Sequence, residues 1–277
     1  MNEKKCEVLA AEIRLETLRI IHSRGFGHVG GSMDLADVLA VLYGEVMRYD
    51  PRNPRWEERD WLVLSKGHAG PALYAALGLA GFYPMADAYT LNDPHTRFPS
   101  HVDRKLTPGA DITTGSLGQG ASTAAGIAVG LKADGRKSRV YCILGDGESD
   151  EGQVWEAFHF AYAHKLDNLL YFIDKNGYQL DGATDDILPH GDLAKKAEAF
   201  GMYTQEIDGH DVGAIYRAVQ NAMARQGVPA CIVLDTCKGK GATFAETTHD
   251  HASTPTPEQW AEALAAAETA LAAVKNS

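Results

Sequence analysis

The sequence predicts an α/β fold: an open, mostly parallel sheet covered by helices on both faces. Three observations carry this expectation. Short apolar runs of strand length alternate with stretches of helical periodicity along the whole chain. Four of the runs end in glycine or polar residues, as strands do at the ligand-binding edge of a parallel sheet. The 277 residues are 45% hydrophobic and 23% charged, an ordinary globular composition that excludes disorder, collagen and coiled coil.

The elements follow in order. Residues 5–24 place Val8, Leu9, Ile13, Ile20 and Ile21 at helical spacing, and the run breaks at Gly25-Phe26-Gly27. A second amphipathic helix spans 34–47, and the strand at 61–64 stops at Ser65-Lys66-Gly67-His68, a functional loop by its chemistry. A helix at 71–80 leads into a long loop at 92–114 containing proline, glycine and histidine. Then come a small-residue helix from 117 to 132 and a strand at 139–144. Helix 153–164, strand 169–173, helix 192–200, strand 203–207, helix 211–226 and strand 230–236 continue the alternation. An alanine-rich helix occupies 257–274. No linker, repeat or low-complexity segment interrupts the pattern, so 1–277 is expected to be a single domain.

Charge and cysteine usage narrow the function classes. Lys and Arg number 26 against 37 Asp and Glu, a net charge of −11, which argues against a nucleic-acid partner. No run of about 18 apolar residues suggests a membrane span. The N-terminal segment mixes Lys4, Lys5, Glu7, Glu12, Arg14, Glu16 and Arg19 among its apolar residues, unlike a signal peptide. Cys6, Cys142, Cys231 and Cys237 show no CxxC spacing, and Cys142 and Cys231 lie inside apolar runs, as buried reduced thiols of a cytoplasmic protein would.

The strand ends carry the chemistry. Gly67-His68 follows the first strand, Gly145-Asp146-Gly147 the second, Asp174-Lys175-Asn176 the third and Lys238-Gly239 the last. Gly and Asp are also what strand-to-loop turns favour sterically, so Gly-Asp-Gly alone decides little. Asn176 adds weight: it lies 176 − 146 = 30 residues after Asp146, room for one loop, one helix and one strand. The two then end neighbouring strands. A carboxylate, an amide oxygen, a backbone carbonyl, two diphosphate oxygens and water make the all-oxygen octahedron that Mg²⁺ prefers. Gly147 lets backbone approach phosphate closely, at the start of a helix.

The run 145–157, beginning Gly145-Asp146-Gly147-Glu148 and including Glu151, Trp155 and Glu156, closely resembles the thiamine-diphosphate signature of transketolases together with Asp174-Lys175-Asn176 and Asp181-Gly182. Gly27-His28, Gly67-His68-Ala69, Ser100-His101, the segment from Thr113 to Gly120, and Lys238-Gly239-Lys240-Gly241 also resemble transketolase segments, in the family's order. The resemblance runs from about residue 10 to the C-terminus and points to the family's diphosphate-binding domain. It implies thiamine diphosphate with Mg²⁺, or Ca²⁺ or Mn²⁺ in its place. Metal ligands would be the side chains of Asp146 and Asn176 and the backbone carbonyl of Tyr178. His68, Gly147 and Lys238 would contact the diphosphate; Gly115, Ser116 and Leu117 would border the cofactor, and Leu180 would pack near its thiazolium. By the same resemblance His28, His68, His101 and His251 surround the reacting carbonyl and hydroxyls of a sugar, work for which a ring that titrates near neutrality is suited.

Two departures from the family stand out. Where relatives show Trp-His-Gly, this chain reads Thr248-His249-Asp250-His251-Ala252, so His249 competes with His251 for the place. Gly30-Gly31 replaces the proline and small residues that often follow His28-Val29. Glu151 and Glu156 read either as a solvated helix start, favourable with the dipole, or as part of a hydrogen-bonded bridge between paired active sites, and Glu151 is counted with the cofactor residues.

The implied reaction is reversible transfer of a two-carbon ketol unit from a ketose to an aldose, in carbohydrate metabolism of the pentose phosphate type. In transketolases the activating glutamate, the aromatic bed of the pyrimidine and the basic residues for the sugar's distal phosphate come from a second α/β domain, and this chain ends before it. The expectation is a split enzyme with a separate C-terminal subunit, two copies of each, whose partner meets the distal end of the sugar. Phosphate, sulfonate or neither at that end is left open. The alternatives are another thiamine enzyme, such as a deoxyxylulose-phosphate synthase or a 2-oxoacid complex component, and a non-catalytic cofactor-binding homologue.

Overall fold

The apolar runs pair into a five-stranded sheet, all parallel, in the computed structural model, which describes residues 1–277. Its strands are β1 (Trp61–Leu64), β2 (Val140–Gly145), β3 (Leu169–Lys175), β6 (Tyr203–Asp208) and β7 (Ala230–Asp235), in the spatial order β1-β2-β3-β7-β6. A separate antiparallel hairpin, β4 (Tyr178–Gln179) with β5 (Gly182–Ala183), follows β3. Register aligns Leu64 with Ile143, Gly145 with Asp174, and Lys175 with Asp235, so the carboxyl ends of the strands form one edge. β2, β3 and β7 are buried along nearly their whole length, whereas β6, at the edge, carries half-exposed Thr204 and Gln205 and an exposed Glu206.

Helices α1 (Glu3–His22), α2 (Gly30–Met33), α3 (Ala36–Val41) and α4 (Gly70–Leu79) precede α5 (Gln119–Ala133) and α6 (Gly152–Ala163). After these come α7 (Thr184–Ile187), α8 (Leu193–Ala199), α9 (Val212–Met223), α10 (Thr243–Thr248) and α11 (Pro257–Asn276). Side chains of α5, α6 and α8 pack on one face of the sheet, and with the strand residues facing them form a cluster of 22 buried apolar residues. Helices α1, α3, α4, α9 and α11 cover the other face, where they, the strands and the adjoining loops form a larger cluster of 48 buried apolar residues. The crossovers β2→β3 and β3→β6 use α6 and α8 on the first face, and β6→β7 returns through α9 on the second. Connectivity therefore reverses between β3 and β7, where open α/β sheets leave a crevice at the carboxyl edge.

Helix ends shift by up to three residues from the sequence expectation, and two of the differences have a local cause. The helix expected at 34–47 is regular only to Val41, then widens into a π turn over Leu42–Val46 that closes with Met47 N–H donating to the Leu42 carbonyl at 2.8 Å. The helix expected from 117 begins at Gln119, because Gly118 has φ 80° and so cannot lie inside a right-handed helix. The hairpin β4–β5, α7 and α10 have too few residues to show a period in sequence. No helix is long and apolar enough to cross a membrane, and the four cysteines are free, three of them buried.

Candidate active site

Four strand ends deliver charged groups to the crevice. Lys66 follows β1, Asp146 follows β2, Asp174 is the penultimate residue of β3, and Thr236 to Lys238 follow β7. Asp174 is fully buried and bonds the Lys66 ammonium, the Thr236 hydroxyl at 2.5 Å and the Asn176 amide nitrogen at 3.2 Å. Asp34, between α2 and α3, accepts from the same amide nitrogen at 3.0 Å and from Gly239 N–H at 2.7 Å. With its NH₂ turned to two carboxylates, Asn176 presents its oxygen on the other side, where it accepts Tyr178 N–H at 3.0 Å. Asp146 accepts from the backbone of Gly147 at 2.7 Å and Gly177 at 2.6 Å.

Burial sets the electrostatics of this floor. It pushes Asp34 well above the usual carboxylate range, and the nearby Asp174 charge pushes the same way. Asp146 rises to about 6 for the same two reasons in the same order. Burial opposes the Lys66 charge, yet Asp174 and Asp34 together outweigh it and raise that pKa. Lys238 is lowered, by burial and then by the Lys66 charge, and its only hydrogen bond is a long one of 3.4 Å to the Tyr178 carbonyl.

Above the floor lie four imidazoles from four separate segments. His28 lies 5.4 Å from His68, 5.5 Å from His101 and 5.0 Å from His251 between ring centres, and His68 lies 4.5 Å from His251. Ring hydrogen bonds within the chain belong to His190 and His210, which leaves these four rings free to face a ligand. Burial lowers His28 to about 4, helped by His101, and lowers His251 to about 4, helped by His28. His68 falls further, through burial and then the Lys66 charge. A two-way backbone bridge between Gly27 and Ser253, at 3.0 and 2.9 Å, ties the loops of His28 and His251 together. His249 points elsewhere: it stacks on Tyr178 at 3.9 Å. The structure thus brings His251, not His249, to the cluster.

Close backbone contact shapes the walls. A Cβ on Gly67 would sit 2.7 Å from the Gly115 nitrogen, and one on Gly147 would sit 2.6 Å from the Gln179 Cβ. Gly30 and Gly31 lie where a Cβ would press on Lys238 carbons at 3.1 Å and on the Lys66 and His68 nitrogens at 3.2 Å, so the departure noted in sequence is a packing feature of the cleft.

Gly115, Ser116 and Leu117 form the turn between the His101 loop and α5, adjoining Gly67. Glu151 is exposed at the start of α6, Glu156 is exposed further along it, and Leu180 is 69% exposed at the tip of the β4–β5 hairpin. None of these three is drawn into the cleft within this chain. Sequence reasoning did not single out Lys66, Asp34, Asp174 or Glu148 as site residues. Lys66 and Asp174 stood inside flagged motifs, and a charge directly after an apolar strand was the available signal. Buried Glu148 accepts from Gly118 N–H at 2.8 Å and Gly145 N–H at 3.0 Å, which locks the turn after β2 to the start of α5. Asp34 carried no signal beyond that of an ordinary helix start. No group of three or more His, Cys, Asp or Glu side chains is arranged to hold a metal; the set Asp146, Asn176 and Tyr178 carbonyl has a different composition, one carboxylate with two neutral oxygens.

Fold and site together define an α/β domain with a polar cleft at the carboxyl edge of its sheet, equipped with imidazoles, two buried ammonium groups and carboxylates. The chain belongs to the transketolase family: residues 6–267 match that family's thiamine diphosphate binding domain. It is 51% identical over 257 residues to the 6-deoxy-6-sulfo-D-fructose transketolase subunit SqwG of Clostridium sp. (strain MSTE9), covering 92% of this chain and 94% of the relative. It is 36% identical to an apulose-4-phosphate transketolase subunit of Actinobacillus succinogenes, covering 88% and 87%. A transketolase structure from Pichia stipitis superposes with TM-score 0.86 at 26% identity, and that from Campylobacter jejuni with 0.83 at 29%. The chain spans under half of each solved protein, 44% and 48%.

Proposed function

We propose that this chain is the diphosphate-binding subunit of a split, cytoplasmic transketolase that moves a two-carbon ketol group from a ketose to an aldose. The observation that carries the reading is the convergence of His28, His68, His101 and His251 over a floor containing Asp146, Asn176 and Lys238. Relatives that match this chain nearly end to end are named as transketolase subunits, which supports a separate partner chain; two copies of each are part of the proposal.

The residues fit the expected cofactor. Lys238 is a buried ammonium with one long contact, to a carbonyl, and so lacks an anion partner of its own. In this reading a diphosphate supplies it, with His68 and the Gly147 backbone alongside. Asp146, the Asn176 oxygen and the Tyr178 carbonyl would hold Mg²⁺, while Gly115, Ser116, Leu117, Glu151 and Leu180 would border the cofactor. When bound, thiamine diphosphate supplies a nucleophilic thiazolium carbon and an electron sink. The chain's own part is to orient and to move protons. His28 and His251 are neutral at pH 7, so each can take a proton from a sugar hydroxyl and return it.

The test is reconstitution. This chain purified alone is expected to show no ketol transfer, and co-expression with its partner should restore it with 6-deoxy-6-sulfofructose or fructose 6-phosphate as donor. Robust transfer by the isolated chain would overturn the split reading. Asp146→Ala in the complex is expected to abolish Mg²⁺-dependent thiamine diphosphate binding in titration calorimetry, and unchanged binding would remove Asp146 from the metal set.

A further inference from the structure

The turn that carries Lys238 is tied from behind, at Cys237, by a residue outside the cleft. His210, in the turn between β6 and α9, places Nε2 2.9 Å from the Cys237 backbone nitrogen and Nδ1 2.9 Å from an Asp37 carboxylate oxygen. A backbone N–H can donate only to a ring nitrogen that carries no proton, so Nε2 is the acceptor. The proton is then on Nδ1, donated to Asp37. Asp37 is itself held by the Arg14 guanidinium from α1, with Nη1 at 3.1 Å and Nη2 closer. Burial works against the Asp37 charge, yet Arg14 and His210 keep the carboxyl below its usual range.

The residue whose N–H donates to His210, Cys237, immediately precedes Lys238. On the cleft side the same turn is fixed by the Thr236 hydroxyl to Asp174 at 2.5 Å and by Gly239 N–H to Asp34 at 2.7 Å. His210 is the tie on its outer side. We propose that His210, in the tautomer set by Asp37, is a positioning residue that fixes the Cys237–Lys238 turn and so the reach of the Lys238 ammonium into the cleft. This rests on the role given to Lys238 above. His210 acts through the backbone and touches no ligand.

The test uses the complex of this chain with its partner and two readouts: amide hydrogen exchange over 236–239, and thiamine diphosphate affinity by calorimetry. His210→Phe removes the acceptor and is expected to speed exchange at Cys237 and weaken binding about tenfold, the scale of one lost hydrogen bond. His210→Gln, which can offer an oxygen where Nε2 stood, should restore protection and bring affinity to within about threefold of the parent. Should His210→Phe fail to fold, Asp37→Asn serves: its amide N–H can face Nδ1 and force the proton onto Nε2, against Cys237 N–H, with the same two losses expected. Parent-like exchange, or parent-like affinity despite faster exchange, in a folded variant would overturn the proposal. Lys238→Met separates the two readings. If it weakens binding and His210→Phe does not, only the positioning role falls; if Lys238→Met leaves affinity unchanged, the diphosphate role of Lys238 falls and the positioning role with it.

Discussion

Lys66 and Asp174 form an ion pair that bridges the ends of β1 and β3 across β2, with side chains 2% and 0% exposed. A pair so buried is costly to break from one side, because the remaining charge has no water to turn to. Lys66→Met would leave Asp174 uncompensated beside Asp34 and Asp146, and a loss of about 3–5 kcal/mol in urea unfolding is expected. Lys66→Met combined with Asp174→Asn should recover most of it. A single variant that unfolds with the parent would show that the pair does not hold the strand ends.

The histidine cluster makes stability fall in acid. His28 and His251 are depressed to about 4 in the folded chain, against an ordinary value near 6.5. Between those values the unfolded chain binds more protons than the folded one. Stability is therefore complete above about pH 6.5 and is lost as pH falls toward 4. Both rings are partly solvated, so each contributes roughly 1–2 kcal/mol after screening. His28→Gln with His251→Gln should flatten the pH dependence of chemical unfolding over that window. An unchanged slope would mean that the rings titrate normally.

His101 tests the division between sugar and cofactor. It stands at the exposed side of the cluster, in van der Waals reach of Gly115, whose added Cβ would sit 3.0 Å from the ring. His101→Ala is expected to lower the transfer rate by about 10² or more, the range for a lost acid–base group, with little change in thiamine diphosphate affinity. Equal turnover by variant and parent would remove His101 from the catalytic set.

Gly67→Ala probes the wall. The new methyl would meet the Gly115 nitrogen and the Thr114 carbonyl carbon, both at 2.7 Å, and backbone has no flexible end to swing aside. The 114–117 turn must move. A loss of about 1–3 kcal/mol is expected on thermal unfolding, together with weaker cofactor binding. A variant that matches the parent in both would mean that the two loops part without cost.

Leu180, Ile187 and Leu188 are 69%, 46% and 53% exposed on the segment that follows the Asn176 turn. Apolar residues grouped beside a functional cleft suit a covered surface. Leu180→Asp is expected to weaken assembly with the partner chain at least tenfold by mass photometry, while moving the isolated chain's stability by no more than about 0.5 kcal/mol. Undiminished assembly would place the partner elsewhere.

How much of this was legible in the sequence depends on the range of the interactions involved. All five strands of the main sheet sit where the sequence placed them, and Asp146 and Asn176 directly follow the neighbouring strands β2 and β3, as the spacing between them implied. Apolar periodicity and turn chemistry are local properties, set by residues within a few positions of one another. The insertion of β7 between β3 and β6 was not legible, since nothing local states which strand lies beside which. Nor was the choice between His249 and His251, which the pairing of Ser253 with Gly27 decides from more than two hundred residues away in the chain. The same holds for Lys66 with Asp174, for the Asn176 amide turned by Asp34, and for the His210 proton placed by Asp37. Sequence alone determined which residue types reach the carboxyl edge; only the packed sheet decided which of them meet there, because burial and partner charge exist only once distant strands are side by side.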